Sequence, residues 1–162
     1  MDVKKAVAIG RFDGVHVAHQ QLIREIVKSK YTSCALIIET GENTLTSSEE
    51  KARIMHALGV DMVETVDFSS VRDLPYTKFF DEYIIHRLNA GKVVVGYNFT
   101  FGKDKLGTVC ELVKLCEKAG VELCVIEPFK MDEEIVSSSK IRELIVSGDS
   151  ERAEKFLGRE NR

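Results

Sequence analysis

A chain of 162 residues falls within the range of one folded domain, and at that length about 70% of the unfolded surface can be buried without disulfide or metal staples. With 44% hydrophobic and 30% charged residues it is neither disordered nor fibrous. A formal net charge of -3 argues against a nucleic-acid partner, which needs a basic surface, and no apolar run approaches the ~18 residues of a membrane span.

The first residues, Met1-Asp2-Val3-Lys4-Lys5, lead straight into an apolar run with no small-residue cleavage site. No signal peptide is read there, and a cytoplasmic protein is expected. Val3 to Gly10 is a short strand. Leu22, Ile23, Ile26 and Val27 then recur at helical spacing. Cys34 to Ile38 is a second strand. Ser47 and Glu50 have capping-box spacing at the start of a second helix, which Gly59 ends. Asp61 to Val66 reads as a third strand, and Pro75-Tyr76-Thr77 opens a helix that runs through Leu88. The β-branched run Lys92 to Gly96 follows, then a polar loop from Tyr97 to Gly107, a helix from Thr108 to Ala119, and a fifth strand from Val121 to Ile126. Two short helices, Ser138 to Val146 and Ser150 to Phe156, precede a polar tail, Arg159 to Arg162.

Five strands alternating with helices predict an α/β fold: a Rossmann-like, doubly wound parallel five-stranded sheet. Ligands of such sheets bind outside the carboxyl ends of the strands, so the loops after Gly10, Ile38, Val66, Gly96 and Ile126 share one rim. Cys34, Cys110, Cys116 and Cys124 form no C-x-x-C pair, so zinc and thioredoxin-type sites are not expected. All four read as buried, reduced thiols.

The loop Gly10-Arg11-Phe12-Asp13-Gly14-Val15-His16-Val17-Ala18-His19 carries the densest chemistry. His16 and His19, three apart at a helix start, share a face. A helix N-terminus attracts phosphate through its free N–H groups and its dipole, and two imidazoles add donors. The loop is neither a Walker loop nor a G-x-G-x-x-G fingerprint. Two other readings stay open: a metal held by the D-x-x-H-x-x-H spacing of Asp13, His16 and His19, and a helix start that merely exposes two histidines. His56 and His86, mid-helix among apolar neighbours, read as ordinary packing or surface residues.

The same loop resembles the G-x-F-D-G-x-H-x-G-H signature of the FAD synthetases, the FMN adenylyltransferases of prokaryotic riboflavin metabolism within the nucleotidylyltransferase superfamily. Glu49-Glu50-Lys51 through Leu58-Gly59-Val60-Asp61 is similar to the family's E-E-K…L-G-V-D stretch. Val94-Val95-Gly96-Tyr97-Asn98-Phe99-Thr100-Phe101-Gly102 is similar to V-G-x-[DN]-F-x-F-G, and Ser137-Ser138-Ser139-Lys140-Ile141-Arg142 to S-S-T-x-I-R. The resemblance implies joining of the AMP moiety of ATP to FMN, with Mg²⁺, giving FAD and pyrophosphate. It implies catalytic roles for His16 and His19. It implies an ATP site built from Gly10, Phe12, Asp13, His16, His19, Ser137, Ser138, Ser139 and Arg142, and a flavin side at Asn98, Phe99 and Phe101. It gives no dedicated protein metal site. Its partners are small-molecule substrates, with no nucleic acid and no membrane.

Read from the residues alone, Ser137 to Ser139 are also a plain helix cap, and Phe99 and Phe101 are also core. The sequence departs from the family pattern at Ala18, where the pattern has glycine, and at Arg11, where it has asparagine. It departs again in Ile37 to Thr44, which lacks the family's T-F-x-P-H-P segment. The bifunctional members continue into a riboflavin kinase domain. Here residues 1–162 are expected to form one adenylyltransferase-like domain, with the kinase domain absent. A non-catalytic flavin- or nucleotide-binding relative, and a nucleotidylyltransferase with another acceptor, remain as alternatives.

Overall fold

The computed structural model describes residues 3–41 and 45–159. Parts of three sequence readings lie outside these residues: Met1 and Asp2 of the N-terminal run, 42–44 of the altered loop, and 160–162 of the polar tail.

In chain order the elements are β1 (Lys5–Gly10), α1 (Val17–Val27), β2 (Thr32–Glu39), α2 (Ser48–Ala57), β3 (Met62–Asp67), α3 (Phe68–Val71), α4 (Tyr76–Phe79), β4 (Ala90–Gly96), α5 (Val109–Ala119), β5 (Glu122–Ile126), β6 (Lys130–Met131), β7 (Glu134–Ile135), α6 (Ser138–Val146) and α7 (Ser150–Leu157). The first five strands form one parallel sheet in the order β3-β2-β1-β4-β5. This is the predicted doubly wound arrangement. The winding reverses between β1 and β4, and a ligand crevice opens beyond their carboxyl ends.

Period-two alternation along the strands sorts the core into two layers. Val7, Ile9, Cys34, Leu36, Val93 and Val95 face one side, against Phe79, Phe80, Ile84 and Leu112. Ala6, Ala8, Ala35, Ile37 and Val94 face the other, against Leu22, Ile23 and Ile26 of α1 and Met55 of α2. A third apolar cluster joins α6 and α7 to Val17, Ala18 and Leu45. It fastens the last two helices beside the start of α1. No helix among the described residues is long and apolar enough to cross a membrane.

Three readings need correction. The helix expected to run from Pro75 through Leu88 is α-helical only to Phe79. It widens into a π-helical run over Phe80–Arg87, where the Leu88 N–H reaches back five residues to Tyr83 O at 3.0 Å. The wider turn keeps Phe79, Phe80, Ile84 and Leu88 buried together. Cys110 is exposed, because it lies on the outer face of α5 while Leu112 and Cys116 turn inward. Cys124 is only half-buried, on the edge strand β5. Cys34 and Cys116 are buried as expected, and burial pushes their thiols up to about 12 and about 11. The β6–β7 hairpin and α3 are too short to show a periodicity, so no pattern in the sequence marks them.

The loop after β4 folds back through a bridge between Phe101 and Gly107. Gly102 sits at φ +80°, and a Cβ there would lie 2.5 Å from the Tyr76 Cα. Gly120, which ends α5, also has positive φ (+71°) but faces open space. Gly120→Ala is therefore expected to cost only about 1 kcal/mol, the conformational penalty. Gly102→Ala adds a backbone clash and should cost at least about 2 kcal/mol more. Urea unfolding of both variants measures the difference; equal losses would remove the steric argument.

Candidate active site at the sheet's carboxyl rim

Between residues 10 and 16 the chain takes conformations that side chains resist. Phe12 (φ +52°), Gly14 (φ +89°) and Val15 (φ +43°) all have positive φ, which is costly for a β-branched valine. Other segments hold it there. Arg11 O accepts from Lys51 Nζ at 3.1 Å, and Asp13 O from Ser138 Oγ at 2.6 Å. Val15 O accepts from Gln20 Nε2 at 3.1 Å and Arg159 Nη1 at 3.2 Å. The Gly14 N–H donates to the buried Thr46 Oγ1 at 3.0 Å.

Asp13 is buried and fully engaged. Oδ1 accepts from the Leu45 and Thr46 N–H groups at 2.5 and 3.3 Å, and Oδ2 pairs with Arg142 at 2.8 Å. Its carboxylate clasps the first loop to the entry of α2 and to α6. With that carboxylate committed, the metal reading of Asp13, His16 and His19 loses its anionic ligand. No group of three metal-ligating side chains occurs among the described residues.

His16 is the N-cap of α1. Its Nδ1 accepts the His19 N–H, and the His19 Nδ1 accepts the His16 N–H, both at 3.3 Å. This reciprocal cap stacks the rings with centroids 3.5 Å apart and planes 16° apart. With Nδ1 used as an acceptor in both rings, each ring carries its proton on Nε2. Burial pushes the His16 imidazole down to about 4, assisted by the Arg159 charge. Burial also lowers His19 well below its usual range, with His16, Lys51 and Arg159 adding to the effect. Both rings are thus neutral Nε2–H donors near pH 7. The edge of His19 packs on Phe12, with centroids 5.3 Å apart.

A cavity of about 810 Å³, within the usual range of small-molecule sites, opens at the switch point. Its wall includes every site residue expected from the sequence: Gly10, Phe12, Asp13, His16 and His19 of the first loop, Asn98, Phe99 and Phe101 after β4, and Ser137, Ser138, Ser139 and Arg142 at α6. Ala18, Arg11 and Thr40 border it too, and Arg11 Nη2 donates to Thr40 Oγ1 at 2.8 Å. The serines divide their work. Ser137 is a true N-cap, accepting the Lys140 N–H at 3.1 Å; Ser138 ties to Asp13; Ser139 Oγ lies 3.3 Å from Arg142 Nη2. Phe101 is buried and stacks on Phe99 at 5.4 Å, so it belongs to the core while one edge reaches the cavity. His56 and His86 lie outside the cavity wall; His56 Nδ1 sits 2.9 Å from Val60 O.

Sequence reasoning did not assign the supporting roles, although Lys51 lies in the stretch that resembles the family's E-E-K motif. Lys51 is fully buried and pairs with Glu39 at 3.0 Å while holding Arg11. Thr46 and Gln20 had no pattern to mark them. Arg159, read as the start of a polar tail, is half-buried against the first loop.

The model of the family described as FAD synthetase matches residues 1–140. The bifunctional riboflavin kinase/FMN adenylyltransferase of Listeria monocytogenes is 30% identical over 173 residues, covering 97% of this chain and 54% of that protein. A protein named FAD synthetase from the same organism is 29% identical, covering 97% of this chain and 70% of that protein. Among solved structures, one titled a macrolide-efflux protein from Streptococcus pneumoniae superposes with a TM-score of 0.87 at 26% identity, over 98% of this chain and 56% of that one. The chain spans about half the length of the bifunctional relatives from Listeria monocytogenes and Bacillus subtilis.

The histidine cap makes stability depend on pH. The folded His16 titrates near 4 and an unfolded one near the ordinary 6.5. Above 6.5 both states hold it neutral and the cap is intact. Between 6.5 and 4 the unfolded chain binds a proton that the folded chain refuses, so stability falls as pH drops, by about 1.4 kcal/mol per unit per proton. His16→Asn keeps a capping acceptor but does not titrate. Its urea midpoint should fall less steeply from pH 6.5 to 4.5 than that of the unaltered chain. Parallel curves would show that His16 is not the group responsible.

Proposed function

The chain belongs to the FAD synthetase family, and on that premise we propose that it transfers the adenylyl group of ATP to FMN, giving FAD and pyrophosphate. The observation that carries this reading is the neutral histidine pair, capped by its own backbone and presenting two Nε2–H donors at the N-terminus of α1, in the same cavity wall as Ser138, Ser139 and Arg142.

In the proposed reaction an FMN phosphate oxygen attacks the α-phosphorus of ATP. The new P–O bond forms as the bond to the β-phosphate bridging oxygen breaks, and that electron pair leaves on pyrophosphate. Nothing needs to become covalently attached to the protein, since phosphoryl transfer depends mostly on positioning and charge stabilisation. His16 and His19 donate to the α-phosphoryl oxygens. Gly10 and Phe12 shape the nucleotide side next to them. Ser138, Ser139 and Arg142 face the leaving phosphates from α6, where Asp13 and Ser139 already orient the guanidinium. Asn98, Phe99 and Phe101 border the flavin. Mg²⁺ enters as part of the substrate, on the ATP phosphates, in keeping with its preference for phosphate oxygens and water over all-protein cages. The same reading is of a cytoplasmic enzyme whose partners are small molecules.

The direct test incubates the pure chain with ATP, Mg²⁺ and FMN and looks for FAD by chromatography. FAD formation is expected. Nucleotide binding without product would favour the non-catalytic alternative, and transfer to another acceptor would favour the third reading. Given activity, His16→Ala or His19→Ala should lower kcat by roughly 10²–10³, the loss typical of one charge-stabilising donor. Full activity in both variants with unchanged melting temperature would remove the catalytic assignment. Ala18 places a methyl on the cavity wall where the family has glycine. Ala18→Gly should tighten ATP binding or raise turnover, at a cost of about 1 kcal/mol or less in helix stability. Unchanged or weaker binding by calorimetry would mean that the methyl is no obstruction.

A further inference from the structure

Arg159 follows α7 and reaches the back of the phosphate-facing loop. Its Nη1 donates to Val15 O at 3.2 Å and to Leu157 O at 3.4 Å. Gln20 Nε2 donates to the same two carbonyls, each at 3.1 Å. The two side chains therefore weld the end of α7 to the start of α1. The approach is close: a Cβ at Gly158 would stand 3.0 Å from Val17 Cγ1 and 3.2 Å from Gln20 Nε2. The carbonyl they hold belongs to Val15, the β-branched residue at φ +43°, and the next residue is the His16 cap.

We propose that Arg159 is a positioning residue for adenylyl transfer: it locks the Val15 carbonyl, and with it the His16–His19 cap, and sets a positive charge behind the loop on the side away from the substrate. The proposal rests on the FAD synthetase reading for the reaction it serves, but its structural core does not. Lys51 grips the same loop at Arg11, yet its charge is matched by Glu39. Arg159 has Glu50 and Arg53 of α2 as charged neighbours, and these act on it in opposite senses. Its charge acts on both histidines. The charged and titratable groups around His16 are the stacked His19, Arg159, Lys51 on the His19 side, and Asp13 of the same loop with its partner Arg142 of α6. A cation behind the loop opposes protonation of the rings. It also favours an anion at the front, where the α1 dipole and the two Nε2–H groups point the same way.

The experiment uses the full chain with Arg159→Met and Arg159→Lys. NMR titration of the histidine ring protons reports the His16 midpoint, and calorimetry with MgATP reports phosphate-site affinity. In Arg159→Met the His16 midpoint should rise above about 4 and MgATP should bind roughly tenfold more weakly, the scale of one charge acting across a partly buried path. Arg159→Lys keeps the charge and one donor and should recover most of both. If Arg159→Met does not fold, Arg159→Gln, which keeps a donor for Val15 without charge, carries the same measurements. An unchanged midpoint and unchanged affinity in the uncharged variant would overturn the proposal. So would an Arg159→Lys variant impaired as severely as Arg159→Met. Both readouts are independent of FAD formation, so a chain that makes no FAD would overturn the activity reading and leave this one to be judged on its own data.

Discussion

The carbonyl groups of Arg11, Asp13 and Val15 are each held by a side chain from elsewhere in the chain: Lys51 of α2, Ser138 of α6, and Gln20 with Arg159. Everything at the site depends on this grip. A loop with Phe12 and Val15 at positive φ would relax if left alone, since such conformations cost of order 1–3 kcal/mol each and persist only where the surroundings over-determine them. Holding the loop in that shape sets the entry angle of α1. The entry angle brings His16 and His19 close enough to cap each other, and the cap fixes which nitrogen of each ring faces the cavity.

The electrostatics follow from the same arrangement. Three cations converge on the loop, and each has a different relation to its surroundings. Lys51 is buried with Glu39, so it acts chiefly as a fastener. Arg142 is clasped by Asp13 on the cavity side, where a phosphate would meet a guanidinium already oriented. Arg159 stands behind. Buried imidazoles flanked by these charges stay neutral, and a neutral Nε2–H imidazole is a hydrogen-bond donor that needs no proton from solution. This suits stabilisation of phosphoryl oxygens without proton transfer, the chemistry proposed for the FAD synthetase family member described here.

The sheet supplies the place for this chemistry. Its winding reverses between β1 and β4, so the first loop and the segment after β4 diverge and leave a crevice between them. α6 closes the crevice from a third side because its cluster with α7 packs on Val17, Ala18 and Leu45. The loop after β4 keeps its path through glycines pressed against Tyr76, where any Cβ would collide.

The sequence by itself determined the sheet, its winding and part of the cavity wall. Strand alternation, helical periodicity and the stops at Gly59 and Gly120 are local, and local chemistry dictates them. The motifs from Gly10 to His19, Val94 to Gly102 and Ser137 to Arg142 named twelve of the wall residues because these lie in three contiguous stretches. Only the tertiary structure decided what each of these groups is free to do. Asp13 reads as a ligand in sequence and is a clasp in space, because its partners are 32 and 129 residues away. Lys51 enters the sequence reading only as part of a family motif and is buried, because the end of β2 brings Glu39 to it. Arg159 reads as part of a polar tail and supports the site, because the α7 turn carries it 144 residues back to Val15. No periodicity or spacing records such contacts: they depend on where remote segments meet, and the packing of the helices settles that after the local pattern has been spent.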